Sequence, residues 1–161
     1  MLRKQELVRY SGGLTSIFVD RLFEEYQTFE GEMDYKSYLD FVLAMENKKT
    51  VQSMQYFWKI LDVYNKNAID TFVINTFFRA VIAKLESKEK YGFRVEDIKD
   101  EIWDMAKPVL PYALQFEDLV YCGSGDIIIA MLIDAKAFYE YDQRESGVEV
   151  DDFDEFADSD F

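Results

Sequence analysis

The 161-residue chain contains no histidine, one cysteine and only seven glycines. Without an imidazole it has no Ser–His or Cys–His nucleophile pair, no histidine-ligated zinc and no histidine proton shuttle. A lone Cys122 forms no disulfide within the chain, which favours a reducing compartment. The glycines form neither a GxGxxG nor a GxxxxGK[ST] string, so the common phosphate-binding loops are missing. These absences exclude many families of enzyme, and we predict no catalytic residue.

Acidic residues greatly outnumber basic ones. There are 32 Asp and Glu against 18 Lys and Arg, which gives a net charge of −14 at pH 7. Such a surface repels phosphate backbones and anionic lipid headgroups, so neither nucleic acid nor membrane is an expected partner. The longest apolar run, residues 127–133, is too short to cross a bilayer, and the charged N-terminus is unlike a signal peptide. We expect a soluble protein of the cytoplasm or nucleus.

The charge is concentrated near the C-terminus. Residues 145–161 contain eight acids and no Lys or Arg. Because its own repulsion opposes collapse, we predict that this segment is a disordered acidic tail. Its three phenylalanines, Phe153, Phe156 and Phe161, leave two interpretations open. The segment is either a solubilising terminus or a short acidic–aromatic motif for a basic groove of a partner.

The remainder, residues 1–144, is predicted to be one all-α domain. Asp34, Thr50 and Asp70 each precede a helical pattern and are expected N-caps. Pro108 should end the fifth helix because it lacks an amide hydrogen. A short helix over 115–122 and one or two helices over 126–144 follow. Apolar residues recur three and four positions apart, as on buried helix faces. They form five stripes: Phe18, Leu22 and Tyr26; Tyr38, Phe41, Val42 and Met45; Met54, Phe57, Trp58 and Leu61; Ile74, Phe77, Phe78, Val81 and Leu85; and Val95, Ile98, Ile102 and Met105.

A weak internal repeat lies between these helices. Residues 30–34, 66–70 and 112–115 each place a small or turn-prone residue before an apolar one and a helix start. This is the plan of the EF-hand, a helix–loop–helix unit whose eighth loop residue is apolar and forms a short β bridge with a partner loop. We therefore predict paired EF-hand-like units.

The register of the repeat predicts which loops pair. Leu2 falls at the bridge position of its loop and should pair with Met33, and Ile69 should pair with Leu114. Residues 1–10 would then be the end of a truncated first unit. Glu6 would stand at its closing carboxylate position.

The loop Asp62–Val73 is the best candidate calcium site, and its composition argues against binding. Calcium loops need oxygens at positions 1, 3, 5 and 9 and a bidentate Glu at position 12. Asp62 and Asp70 occupy positions 1 and 9, but positions 3, 5 and 12 hold Tyr64, Lys66 and Val73. An ammonium about 4 Å from a divalent ion would cost on the order of 8 kcal/mol at an effective dielectric near 20, so Lys66 should turn away.

The other loops offer fewer ligands still. The loop of residues 26–37 has only Glu30 and Asp34 as plausible carboxylates, and residues 107–118 have no ligand series before the final Asp. We expect degenerate calcium loops, with no metal-binding residue and no cofactor. A free calcium sensor is therefore a weaker hypothesis.

Two carboxylate pairs are candidates for a general acid and base. Glu24 and Glu25 are adjacent and should point in different directions. Asp97 and Glu101 lie one helical turn apart, a spacing more typical of a solvated face than of a catalytic pair. Neither pair supports an enzyme.

Several strings in the sequence are more specific than a generic EF-hand. The most extended is GEMDYKSYLDFVLA, at Gly31–Ala44. Others are LD at 61–62, FFRA at 77–80, VEDIKDEI at 95–102, KP at 107–108 and GD at 125–126. On these strings the chain resembles the B″ regulatory subunits of protein phosphatase 2A, most closely the gamma-type subunits and their plant relative TONNEAU/FASS. The resemblance spans residues 1–144 and corresponds to the C-terminal half of a family member.

The resemblance implies a non-catalytic role. B″ subunits dock on the HEAT-repeat scaffold beside the catalytic subunit and direct serine/threonine dephosphorylation to chosen phosphoprotein substrates. The resemblance to gamma-type members also implies a part in centrosome or microtubule organisation or in cell survival. It further implies a centrosomal location. The alternatives are a stand-alone EF-hand-like calcium sensor or a protein-interaction adaptor.

One family property does not carry over to this chain. Other branches have an Asp-rich, Glu-closed loop where this chain has Asp62–Val73, so calcium binding at that loop is not implied. Whether Met1 is the native start stays open. In a longer chain, Glu6 would close a calcium loop whose other ligands precede Met1.

Overall fold

The computed structural model describes residues 1–86 and 95–145, and within these ranges the chain is almost entirely helical. Two short strands pair in an antiparallel sheet. The elements in chain order are α1 (Lys4–Val8), α2 (Ser16–Glu25), α3 (Tyr35–Glu46), α4 (Val51–Leu61), β1 (Ala68–Asp70), α5 (Thr71–Glu86), α6 (Val95–Ala106), β2 (Ala113–Gln115), α7 (Phe116–Tyr121), α8 (Gly125–Ile133) and α9 (Ala135–Glu145).

The predicted N-caps begin their helices. The Asp34 carboxylate accepts a hydrogen bond from the Ser37 amide at 2.8 Å, and the Thr50 hydroxyl accepts one from Ser53. Asp70 does the same for Val73, at 3.0 Å. Each cap satisfies one of the amides that the first helical turn leaves unpaired.

Both predicted loop pairings are confirmed. Leu2 and Met33 exchange two backbone hydrogen bonds of 2.7 Å, and Ile69 lies opposite Leu114 in the β1–β2 ladder. Each of these two pairings holds one loop side by side with its partner loop. The predicted EF-hand-like architecture is therefore the observed one.

The helical units share one hydrophobic core. Helix α5 packs against α6, α8 and α9, while α4 packs against α2, α3, α7 and α8. The largest of the completely buried side chains in this core are phenylalanines: Phe18, Phe41, Phe57, Phe77, Phe78 and Phe138. The two paired units are thus joined by packing into a single body.

One helix is shorter than its apolar stripe predicts. The stripe of Phe18, Leu22 and Tyr26 extends the helix to Tyr26 and beyond, whereas α2 ends at Glu25, and Leu14, ahead of α2, forms a β bridge with Asp134. The segment 126–144, for which one or two helices are predicted, is two helices, which Asp134 separates. Helix α6 ends at Ala106, just ahead of Pro108, with Lys107 in a left-handed conformation.

The predicted tail lies almost wholly outside the described residues. Glu145, its first residue, is the last residue of α9. Phe153, Phe156 and Phe161 belong to the part of the chain that the structure does not describe. None of the helices in 1–86 and 95–145 combines the length and the apolarity needed to cross a bilayer.

Candidate functional site

The loop Asp62–Val73 is organised around the Asp62 carboxylate. Its two oxygens accept hydrogen bonds from the backbone amides of Lys66 at 3.0 Å and Asn67 at 2.9 Å. Asn65 and Asn67 have φ angles of 55° and 57°, a left-handed conformation that asparagine tolerates better than most residues. The buried Asp62 therefore supplies an anionic centre for the turn from within the chain.

The other ligand positions of this loop face elsewhere. The Lys66 ammonium lies 5.6 Å from the centroid of the Tyr64 ring, an attractive arrangement of a cation over an aromatic face. Tyr64 is about half exposed, whereas Val73 at the closing position is buried. The Lys66 ammonium is thus directed at the Tyr64 ring, and Tyr64 and Val73 offer no hard oxygen ligand.

The partner loop, residues 107–118, is organised by its last residue. One carboxylate oxygen of Asp118 accepts a hydrogen bond from the Gln115 amide at 2.8 Å, and the other accepts a longer one, 3.4 Å, from Val109. Asp118 is buried. A carboxylate that bonds amides from both parts of the loop holds the loop closed, because hydrogen bonds to a charged acceptor are among the stronger ones in proteins.

The first pair of loops follows the same scheme. At the closing position of its loop, Glu6 accepts a hydrogen bond from the Arg3 amide at 2.8 Å, as Asp118 does from Gln115. In the partner loop Asp34 reaches forward to Ser37, which lowers the pKa of Asp34 because the hydrogen bond favours the charged form.

In each pair of loops, the carboxylate at the twelfth position of one loop (Glu6 or Asp118) accepts a hydrogen bond from the backbone amide of the ninth residue. In the partner loop, the carboxylate at the ninth position (Asp34 or Asp70) accepts one from the backbone amide of the twelfth residue. Four carboxylates, one per loop, bond loop amides in this way.

The donors present fit a calcium ion poorly. The described residues contain no group of three or more Asp, Glu, His or Cys side chains that could hold a metal. In the loop of residues 26–37, Asp34 is engaged as a cap, and Glu30 is exposed in a turn with a φ of 52°. Hard cations require six to eight oxygens around one point, and none of these loops gathers them.

The carboxylates of the first candidate catalytic pair are structural. Arg21 forms ion pairs with Glu24 at 2.9 Å and Glu25 at 2.8 Å. The same guanidinium donates hydrogen bonds to the carbonyl oxygens of Ile60 and Lys59, at the end of α4. Glu24 and Glu25 therefore hold the Arg21 guanidinium in place, and the guanidinium joins α2 to the C-terminal end of α4.

The second candidate pair is not a pair. Asp97 is exposed on α6, whereas Glu101 accepts a hydrogen bond from the Tyr141 hydroxyl. Burial, followed by this contact with Glu101, raises the pKa of Tyr141. Glu101 thus joins α6 to α9.

Sequence reasoning missed a buried carboxylate, Asp134. One of its oxygens accepts a hydrogen bond from the Ser11 hydroxyl at 3.0 Å, and the other accepts from the amides of Lys136 and Ala137. Burial raises the pKa of Asp134 despite these hydrogen bonds. An Asp before an apolar segment was a visible N-cap signal. Its contact with Ser11, 123 residues away, was not visible in the sequence.

Comparison with known proteins identifies relatives of this chain. No family model matches the chain. It is 47% identical over 146 residues to the gamma-type B″ regulatory subunit of serine/threonine-protein phosphatase 2A from Danio rerio. It is 40% identical over 153 residues to TON2 of Arabidopsis thaliana, described as a probable B″ regulatory subunit of the same phosphatase. Each alignment covers 90% of this chain and 32% of the relative.

The fold has a counterpart among solved structures. A chain of a PP2A PR70 holoenzyme superposes with a TM-score of 0.78 over 86% of this chain and 52% of that one, at 20% sequence identity. This likeness confirms the predicted fold. The chain spans about a third of the length of the curated relatives it matches, in agreement with the prediction that it corresponds to part of a family member. Over nearly its whole length, this chain is a relative of the gamma-type B″ regulatory subunits of protein phosphatase 2A.

Proposed function

We propose that this chain is a non-catalytic part of a phosphatase regulatory subunit. In this role it binds the phosphatase 2A scaffold and catalytic subunits and directs dephosphorylation of serine and threonine in selected phosphoproteins. The observation that carries the proposal is the identity of 47% to a gamma-type B″ regulatory subunit over 90% of the chain. The relative's name describes a regulatory role.

The described site chemistry supports a binding role. Of the carboxylates with an acid–base spacing, Glu24 and Glu25 are bound to Arg21 and Glu101 is bound to Tyr141. The loop carboxylates are bound to backbone amides. Side chains engaged in this way stabilise the fold and are not poised to act as a nucleophile or base.

Affinity capture tests this proposal. The tagged chain is expressed in eukaryotic cells, captured and analysed by mass spectrometry with a tag-only control. We expect enrichment of the phosphatase 2A scaffold and catalytic subunits over the control. Absence of both subunits, with the captured chain folded by circular dichroism, would contradict the proposal.

We also infer that the chain works without bound calcium. Asp62 and Asp118 already accept hydrogen bonds from loop amides, so an ion would have to compete for them. Calorimetric titration with calcium should show no saturable heat at the micromolar concentrations where EF-hand sensors bind. A micromolar site that disappears in Asp62→Ala would instead favour the calcium-sensor alternative.

The proposed location is the cytoplasm, with the nucleus and the centrosome as alternatives. The net charge of −14 supports protein partners over nucleic acid or membrane. Imaging of the fluorescently tagged chain with a centrosomal marker distinguishes among these locations.

A further inference from the structure

A groove lies between α9, α8 and the connection from α3 to α4. Its volume is about 520 Å³, and α9 forms one wall with residues at helical spacing: Ala137, Glu140, Tyr141 and Arg144. Ile127, Ala130 and Ala137 contribute half-buried apolar side chains to the lining. We call this cavity the α9 groove. Its lining offers a place for an apolar side chain between two helices.

The α9 groove also has accessible cations. Its charged residues are the bases Lys48, Lys49 and Arg144 and the acids Glu46, Asp126 and Glu140. None of these six side chains forms an ion pair within residues 1–86 and 95–145. Lys49 and Arg144 are exposed, and the Lys48 ammonium donates a hydrogen bond of 3.1 Å to the Met45 carbonyl oxygen. Glu46 already accepts a hydrogen bond of 2.6 Å from the Tyr10 hydroxyl. The three cations are therefore available to carboxylates from outside the groove.

The acidic tail leaves the described part of the chain beside this groove. Arg144 lines the groove, and α9 ends one residue later, at Glu145. The next two residues in the sequence are Ser146 and Gly147, and a Ser-Gly pair is a common turn signal. A turn at this point reverses the chain, so the residues that follow are in position to run back along α9.

Residues 148–153 have the composition that the α9 groove requires. Their sequence, VEVDDF, alternates between apolar residues and acids before it ends at Phe153. Six extended residues span about 20 Å. The wall of α9 between Ala137 and Arg144 is about 10 Å long, at a rise of about 1.5 Å per residue. The segment is therefore long enough to follow the groove and to reach Lys48 and Lys49 beyond it.

We propose that residues 148–153 bind the α9 groove of the same chain, with their carboxylates at Lys48, Lys49 and Arg144 and an apolar side chain against the apolar lining. The tail is favoured as the occupant because it is tethered to the groove wall. A short tether gives an effective concentration on the order of millimolar, so a weak interaction is enough to populate the bound state. The cations also relieve the repulsion among the acids of the tail. The inference does not depend on a role in the phosphatase.

Paramagnetic relaxation enhancement, measured by NMR on the whole chain, tests this proposal. A nitroxide is attached at Ala157→Cys in a Cys122→Ser background, because Cys122 is the chain's single cysteine. The nitroxide broadens the signals of backbone amides that the tail approaches. Lys49 and Ile127 are the reporters, since both line the groove and neither belongs to α9.

Charge reversals on each side test whether the contact is specific. Lys48→Glu/Lys49→Glu reverses the groove side, and Asp151→Lys/Asp152→Lys reverses the tail side without touching the described fold. The matched control is Lys36→Glu/Lys59→Glu, which changes the net charge as much as the groove variant does. Lys36 and Lys59 are exposed and lie near the ends of α3 and α4 that are remote from the groove. Circular dichroism verifies that each variant is folded.

We expect the Lys49 and Ile127 amides of the parent to lose about half or more of their intensity. Each reversal should restore that intensity about twofold, whereas the control should behave like the parent. Salt at about 300 mM should have the same effect as the reversals, because it screens the charge pairs. Combining the two reversals should bring part of the broadening back.

Three results would overturn the proposal. The first is broadening that is equal in the parent and in both reversal variants. The second is the absence of broadening at the reporters, which would favour a solubilising terminus or a motif for a partner's groove. The third is equal broadening in a mixture of nitroxide-bearing copies without ¹⁵N and ¹⁵N-labelled copies without nitroxide, which would mean that the tail binds another copy of the chain. None of these results bears on the affinity capture that tests the proposed function.

Discussion

The Asp62 carboxylate accepts a hydrogen bond of 2.9 Å from the backbone amide of Asn67, five residues ahead in the same loop. Its other oxygen accepts from Lys66. The side chain at the first ligand position of an EF-hand loop therefore bonds the loop itself. This relationship explains how the loop keeps its shape although its third, fifth and twelfth residues cannot bind an ion.

Removing this carboxylate should destabilise the loop. Asp62→Ala leaves two amides without their acceptor, and we expect a loss of about 1.5–3 kcal/mol in the free energy of unfolding, the range for hydrogen bonds to charged groups. Urea denaturation measures the loss, and hydrogen exchange should show faster exchange at Lys66 and Asn67. The control Asp104→Ala, on the exposed face of α6, should change stability by less than about 0.5 kcal/mol. Equal effects from the two substitutions would count against the role assigned to Asp62.

Asp134 should make stability depend on pH. Burial raises its pKa above the ordinary value of 3.8, so the folded chain holds a proton on Asp134 to higher pH than the unfolded chain does. Its contribution to stability is therefore present at low pH and is lost as pH rises from about 4 through the folded-state pKa. Asp134→Asn, which keeps an acceptor for the α9 amides, should flatten this dependence.

Urea denaturation of the parent and of Asp134→Asn, at several pH values from about 4 to 8, checks this prediction. The stability of Asp134→Asn relative to the parent should rise with pH. Asp134→Ala serves as the second variant, because it removes the cap and should destabilise at every pH. A difference between parent and Asp134→Asn that does not change with pH would contradict the prediction.

Gly13 should tolerate no side chain. A Cβ at this position would lie 2.1 Å from a carboxylate oxygen of Asp134 and 2.5 Å from the backbone nitrogen of Lys136. Gly13→Ala must therefore displace the start of α9, and we expect a loss of about 3 kcal/mol or more. Gly31→Ala is the comparison, since that site has open space but a φ of 81°. Its cost should be near 1 kcal/mol, from backbone strain alone. Thermal melts of the two variants measure the difference, and a Gly13→Ala chain as stable as Gly31→Ala would show that the contact is not tight.

Local signals predicted most of the secondary structure. Asp34, Thr50 and Asp70 act as N-caps because a short polar side chain before an amphipathic run favours that role regardless of tertiary context. The pairing of Ile69 with Leu114 followed from the fixed position of the apolar residue within each loop. These features depend on spacing along the chain, so a single sequence carries them.

Features that depend on distant contacts could not be predicted. The break between α8 and α9 has no proline or glycine at Asp134, and it is fixed by Ser11 and by the backbone bridge to Leu14. Likewise, the sequence identified Asp118 only as a lone carboxylate. Its two amide partners became evident from the folded loop.

The central claim is that packing and internal hydrogen bonds, without an ion, hold the paired loops of this phosphatase-regulator relative. Thermal melting of the chain in about 1 mM calcium and in excess chelator tests it most directly. A site with a dissociation constant of about 10 µM would add about 2.7 kcal/mol under these conditions, or roughly 5–11 °C in Tm. We predict that the two melting temperatures agree within about 2 °C. A chelator-treated chain that melts about 5 °C or more below the calcium-treated one would contradict the claim.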